Sequence, residues 1–251
     1  MYAACVEAVP FLATFVGLVY LTWRRNRRSR PFRLSRAVHD NFDVDATVAL
    51  HVAHREATER NLPTSPAHLL YGLLQVEAFT AAITTLGGDH AAIEQRVSAA
   101  LSERPEDPSY VLHLQSHASA AAEHDNRQAT ITDLWYQLAR TSAATLVDNA
   151  HGLLFVLVHG TPEPPAQHAD PEVHVVIRND DYTPARFVSY VVHAIFDKPP
   201  EDAVATMRTA HEQGRAIVGR YPTPTAIELV TAARAKAKES GFPLWLELEP
   251  W

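Results

Sequence analysis

The chain has 251 residues, enough for one large domain or two small ones, and 47% are apolar, which excludes disorder along most of its length. Its formal net charge of −7 argues against nucleic acid as a partner of the whole chain. The single cysteine, Cys5, excludes an intrachain disulfide and fits a reducing compartment.

Residues 1–23 carry one charged side chain, Glu7, and the run from Ala8 to Trp23 carries none. A membrane span needs about 20 mostly apolar residues, a length this segment reaches when Ala3 to Val6 are included. Five arginines follow at once (Arg24, Arg25, Arg27, Arg28, Arg30), and Tyr20 and Trp23 stand where interfacial aromatics belong. The basic flank predicts a single-pass anchor in the cytoplasmic membrane, N-terminus out, with the remaining chain in the cytoplasm. A cleaved signal peptide would carry its positive charge before the apolar run, not after it. Residues 24–41 read as a basic juxtamembrane linker able to touch anionic lipid.

From 42 to 160 the pattern is helical. Val48, Val52 and Ala53 share one face of a first helix, and Ser65-Pro66 is a capping residue with proline at the first helical position. Gly87-Gly88 ends a third helix, a fourth carries Ile93, Val97 and Leu101, and Arg104 to Pro108 is a break. An offset of 65 residues then superposes Leu69 on Leu134, Tyr71 on Tyr136, Leu73 on Leu138, Asn61 on Asn126 and Ala53 on Ala118. This is the signature of a duplicated unit, with Trp135 and Ala139 replacing leucines in its second copy. The duplication, with the segment Thr64-Ser65-Pro66-Ala67-His68-Leu69-Leu70-Tyr71-Gly72-Leu73-Leu74, resembles the double Clp repeat that forms the N-terminal domain of Clp unfoldases. The resemblance implies an all-α module that docks substrates and adaptors and carries no catalytic residues.

Residues 161–171 include Pro162, Pro164, Pro165 and Pro171, a composition that favours an extended, semi-rigid linker. Beyond it, 172–251 reads as a separate domain. Val173, Val175 and Ile177 alternate along a strand, and the segment 179–184 is a turn. A helix with the stripe Phe187, Val188, Val191, Val192 and Ile195 follows, then a second helix from Glu201 to Gln213. A strand over 216–221, a third helix over 225–240 and an alternating strand over 244–249 complete the order β-α-α-β-α-β. That order predicts an α+β domain with a small antiparallel sheet under helices.

The segment Asn179-Asp180-Asp181-Tyr182-Thr183-Pro184, together with Met207, His211, Gly214, Gly219 and Pro243-Leu244, resembles the ClpS family of N-degron adaptors across essentially this whole domain. A protein's free N-terminus is an ammonium below its pKa of about 8, so its capture needs oxygen acceptors, which one tight turn supplies here. The resemblance implies that Asn179, Asp180 and His211 hold the α-amine and that Asp181 and Thr183 hold the start of the peptide. Ala185, Val188, Met207, Ala210 and Leu244 would line the hole for the first side chain, expected to be Leu, Phe, Tyr or Trp. Met207, Ala210 and His211 fall on one helical face.

Two departures from the family stand out. Alanine occupies positions 185 and 210, where larger residues are common, which predicts a wider pocket. Pro224 and Leu229 replace the glutamate and lysine that contact the unfoldase in the family, which alters the expected docking surface.

The histidine pairs His51/His54 and His113/His117 lack the companions of a zinc site, and no phosphate-binding or nucleophile-elbow motif is present. The reading is therefore a multidomain, non-enzymatic, cofactor-free adaptor: transmembrane helix, double Clp-repeat domain and ClpS-like domain. It would bind N-degrons and deliver them to a Clp AAA+ protease. The alternative is a membrane-tethered scaffold or regulator of the Clp machine that binds no N-degrons.

Overall fold

A computed structural model of the protein describes residues 41–105 and 107–251. The segment 1–23, expected to be an anchor, and all but the last residue of the linker 24–41 lie outside the described residues. Among the described residues no helix is long and apolar enough to cross a membrane.

The helical region comprises α1 (Val44–Glu59), α2 (Pro66–Leu73), α3 (Glu77–Thr85), α4 (His90–Ala100), α5 (Tyr110–His124), α6 (Ile131–Leu138), a 3-10 turn (Ser142–Leu146) and α7 (Ala150–His159). Its core gathers Leu50, Leu69, Leu70, Leu73, Phe79, Leu134 and Trp135, all fully buried. Gly72 lets α1 and α2 touch backbone to backbone, since a Cβ there would collide with the Ala49 carbonyl. The 65-residue offset reappears as geometry. Asn61 and Asn126 both take φ +53°, a left-handed conformation that asparagine tolerates. Both α2 and α6 open on a capping box, Ser65 with His68 and Thr130 with Asp133. The correspondence fades after α6, where a 3-10 turn stands in the place of α3.

The C-terminal region has the expected order: β1 (Glu172–Arg178), α8 (Ala185–Ala194), α9 (Pro200–Gln213), β2 (Arg215–Pro222), α10 (Thr223–Ser240) and β3 (Trp245–Pro250). The antiparallel sheet runs β2-β1-β3, with a bulge between Val175 and Val176 on the β1–β2 side. Val173, Val175 and Ile177 of the central strand face a core built from Val191, Val192, Phe196, Ala226, Val230 and Leu246. Gly214 ends α9 at φ +79°, which turns the chain directly into β2.

The proline-rich segment between the two regions is fastened to the second of them. Arg234 of α10 donates to the Pro164 carbonyl at 2.6 Å and to that of Leu246, and its guanidinium lies 3.5 Å from Glu163. Thr223 donates through its backbone to the Pro171 carbonyl at 3.0 Å. The described residues belong to one compact unit, and the helical region packs against the C-terminal one.

Candidate functional site

The turn after β1 begins on a fixed point, where the Asn179 amide donates to the Gly214 carbonyl at 2.9 Å. Asp180 then organises the turn from within. Its Oδ1 accepts from the amides of Tyr182 at 2.8 Å and Thr183 at 2.6 Å, and Pro184 caps α8. This leaves Asp180 Oδ2 buried with no hydrogen-bond partner. Burial pushes the Asp180 carboxyl up from its ordinary pKa, against the pull of the nearby Thr183 hydroxyl, the two amides and His159.

A cleft of about 190 Å³ opens beside this turn. Asn179, Asp180, Asp181 and Thr183 form one side of it. Ala185 and Val188 from α8, and Met207, Ala210 and His211 from α9, form the other. His211 occupies the last turn of α9, exposed at the rim, while Ala210 is buried beneath it. Nine of the ten residues expected from the sequence thus border one cavity. The tenth, Leu244, is only 1% exposed and packs in the domain core with Val230 and Leu246, so it supports the site from behind. It precedes β3, and its inward face continues the core stripe of that strand. Arg178 also borders the cleft, but its Nε donates to Glu247 at 2.6 Å and its guanidinium stacks 5.0 Å from the Trp245 ring. Its charge is thereby drawn toward β3. A buried carboxylate oxygen without a donor, beside an apolar hollow, suits a ligand with an ammonium next to one side chain. Among the described residues no group of three or more His, Cys, Asp or Glu side chains could hold a metal ion.

The family model "ATP-dependent Clp protease adaptor protein ClpS" matches residues 168–247. The ClpS adaptor of Wolinella succinogenes is 41% identical over 75 residues, covering 30% of this chain and 74% of the relative. The chain belongs to the ClpS family. The Ralstonia nicotianae ClpS adaptor is 34% identical over 87 residues, 35% of this chain and 76% of the relative. Among solved structures, Agrobacterium tumefaciens ClpS2 bound to L-phenylalaninamide is 36% identical, covers 33% of this chain and 100% of that one, and superposes with a TM-score of 0.32.

The ClpS domain is joined to the helical region at the edge of this cleft. Tyr182, half-way along the site's turn, points away from the cavity and donates its hydroxyl to Asp133 Oδ1 at 3.1 Å. Tyr136 stacks on it, with ring centroids 5.2 Å apart, and donates its own hydroxyl to the Tyr182 carbonyl at 3.2 Å. Burial raises the Tyr182 pKa and Asp133 reinforces the effect, so the phenol stays a donor. Asp133 is 3% exposed. Burial alone would raise its pKa, but the Arg127 fork at 2.7 and 2.9 Å and the Thr130 amide outweigh that and hold it low.

Behind the turn, the loop before β3 is held through its carbonyls. Arg140 donates to Gly241 at 3.1 Å, His151 to Phe242 at 3.1 Å and His159 to Pro243 at 2.7 Å. Since a carbonyl only accepts, each imidazole presents Nε2–H to it. Burial lowers the pKa of both histidines. Phe155 and His159 pack against Trp245, with centroids 5.5 and 4.8 Å away.

Sequence reasoning missed this joint. Tyr136 was visible only as a repeat position, and Tyr182 only as part of a turn. The lone hint was the polar substitution at Asp133, opposite His68 in the first copy.

Of the two residues expected to alter the unfoldase-facing surface, Pro224 is exposed on the first turn of α10, whereas Leu229 packs partly against the core.

Proposed function

We propose that the ClpS domain captures the free N-terminal residue of substrate proteins and that the chain delivers them to a Clp AAA+ unfoldase. The observation that carries this reading is the orphaned Oδ2 of Asp180, buried beside the hollow that Ala185, Val188, Met207 and Ala210 border. Asn179, Asp180 and His211 hold the α-amine, and Asp181 and Thr183 hold the start of the peptide. The first side chain, Leu, Phe, Tyr or Trp, enters the hollow, where its burial stabilises the complex by about 1.5–3 kcal/mol. The alanines at 185 and 210 leave room for the bulkier members of that set.

The test is a titration of the full chain with a peptide beginning in Phe, beside its N-acetylated form. Acetylation removes the ammonium, so the free peptide binds and the acetylated one does not. Each charge-assisted hydrogen bond contributes about 1.5–3 kcal/mol, so Asp180→Ala weakens binding at least tenfold, and His211→Ala lowers it in the same direction. Equal binding of the two peptides overturns the reading.

The helical region, on this reading, is a Clp-repeat module, and residues 1–23 tether the chain to the cytoplasmic membrane with both domains inside. Alkaline extraction of membranes checks the tether: an anchored chain stays in the pellet, and complete recovery in the supernatant excludes it.

A further inference from the structure

The cleft is not built by the ClpS domain alone. Asp125, in the turn after α5, borders it from the helical region, as Asp180 and Asp181 border it from the ClpS domain. The turn is fixed by its own hydrogen bonds, Asp125 amide to Ala122 carbonyl at 3.1 Å and Asn126 amide to Glu123 carbonyl at 3.0 Å, and by the left-handed Asn126. A chain of contacts holds it against the site. The Arg127 guanidinium sits 3.8 Å from Asp125 and grips Asp133 with both terminal nitrogens. Asp133 accepts the Tyr182 hydroxyl, and the Tyr182 amide donates to Asp180. Arg127 is thus committed to Asp133 and is only a loose partner for Asp125, whose side chain remains 43% exposed.

We propose that Asp125 is a specificity-determining residue of the peptide site, favouring ligands with a cationic second residue and disfavouring those with an acidic one. This rests on the amine-site reading: with the α-amine at Asp180 and the first side chain in the hollow, the second residue lies within reach of the remaining groups that border the cleft, Asp125 among them. A stand-alone domain of this type has no such wall, because the carboxylate comes from the other region of the chain. A partly exposed ion pair shifts an equilibrium by about 0.2–1 kcal/mol, and added salt weakens it.

The test measures the affinity of the full chain for three peptides beginning Phe-Lys, Phe-Ala and Phe-Glu. Phe-Lys binds tightest and Phe-Glu weakest, with steps of roughly two- to fivefold, compressed in high salt. Asp125→Asn narrows the Phe-Lys to Phe-Glu ratio, and Asp125→Lys inverts it. If none of the peptides binds, the amine site itself is wrong and this assignment falls with it. If they bind but neither variant changes the ratio, the amine site stands and the role of Asp125 is excluded.

Discussion

The two copies of the helical unit use one turn for different ends. In the first copy the turn carries Arg60 and Leu62, and α2 opens on Ser65 and His68. Ser65 donates to His68 Nδ1 from its backbone at 3.2 Å, and the fully buried ring keeps this network within the first turn of α2, with its Nε2 left without a partner. In the second copy, 65 positions on, the same places hold Asp125, Arg127, Thr130 and Asp133. There the network opens outward: Asp133 caps α6 and also accepts from Tyr182 of the ClpS domain. Tyr71 becomes Tyr136, now stacked on Tyr182, and Gln75 becomes Arg140, now bonded to Gly241. The apparent decay of the second copy is therefore selective. Leu69 and Leu73 persist as the buried Leu134 and Leu138, Leu70 gives way to the equally buried Trp135, and Asp125, Asp133 and Arg140, which changed character, hold the neighbouring domain or border its cleft.

The largest expected difference between the copies is at Arg127 and its counterpart Leu62. Arg127→Ala strands the Asp133 carboxylate, 3% exposed, with only Thr130 and Tyr182 to serve it. Leaving a buried charge unpaired costs about 3–5 kcal/mol. Leu62→Ala strands no charge and costs about 1 kcal/mol. Urea unfolding of both variants measures the gap, and equal losses would mean that the two turns are energetically alike.

Next comes Tyr182→Phe, which keeps the ring and deletes the hydroxyl. A hydrogen bond to a charged group contributes about 1.5–3 kcal/mol. A double-mutant cycle with Asp133→Asn isolates the pair, and a coupling near zero would show that the stacked rings, not this bond, hold the joint.

Most of the secondary structure was legible from the sequence for local reasons. Ser65-Pro66 starts α2, Gly214 and Gly241 stop α9 and α10, and alternation marks β1 and β3. The polar part of the site was legible because a single turn, Asn179 to Thr183, carries most of it. The joint was not. His151, His159 and Arg140 reach backbone carbonyls 84 to 101 residues away, and every residue type offers the same carbonyl. Periodicity reports which face of a helix is apolar and says nothing of its partner. Leu244 illustrates the same limit: its apolar character fits both a pocket wall and a core, and only packing decides.

The joint also carries a pH dependence, which adds to that of His54 and His68 in the first copy, whose pKa values burial likewise lowers. His151 and His159 have folded pKa values below the ordinary 6.5, chiefly because burial disfavours the imidazolium. Their neutral forms contribute stability that is fully present above pH 6.5 and is lost as the pH falls through their folded values. Glu163 and Asp180 oppose that loss by favouring the charged rings, while Arg178 and Lys238 add to it. Asp180 has the opposite sign, since its raised pKa gives stability at low pH that is lost as the pH rises through it. Unfolding midpoints at pH 7.5 and 5.5 therefore fall on acidification, and the double variant His151→Gln/His159→Gln flattens the slope. An unchanged slope would place the acid sensitivity elsewhere.

The smallest effect separates structure from recognition at the turn itself. Arg60 pairs with Glu56 at 2.6 Å and also caps the Glu56 carbonyl at 3.0 Å, both near the surface at the end of α1. Arg60→Asp gives the first copy the side chain that the second carries at Asp125, on a backbone of the same shape, with Asn61 left-handed as Asn126 is. An i,i+4 pair of this kind contributes about 0.3–0.5 kcal/mol, and reversing the charge costs somewhat more because it faces Glu56. No contact links Arg60 to the cleft that Asp125 borders. The substitution therefore lowers the unfolding midpoint slightly and leaves the Phe-Lys to Phe-Glu affinity ratio where it was, whereas Asp125→Lys does the reverse. A ratio that moves with Arg60→Asp would mean that peptide selectivity follows the net charge of the chain and not the place of one carboxylate.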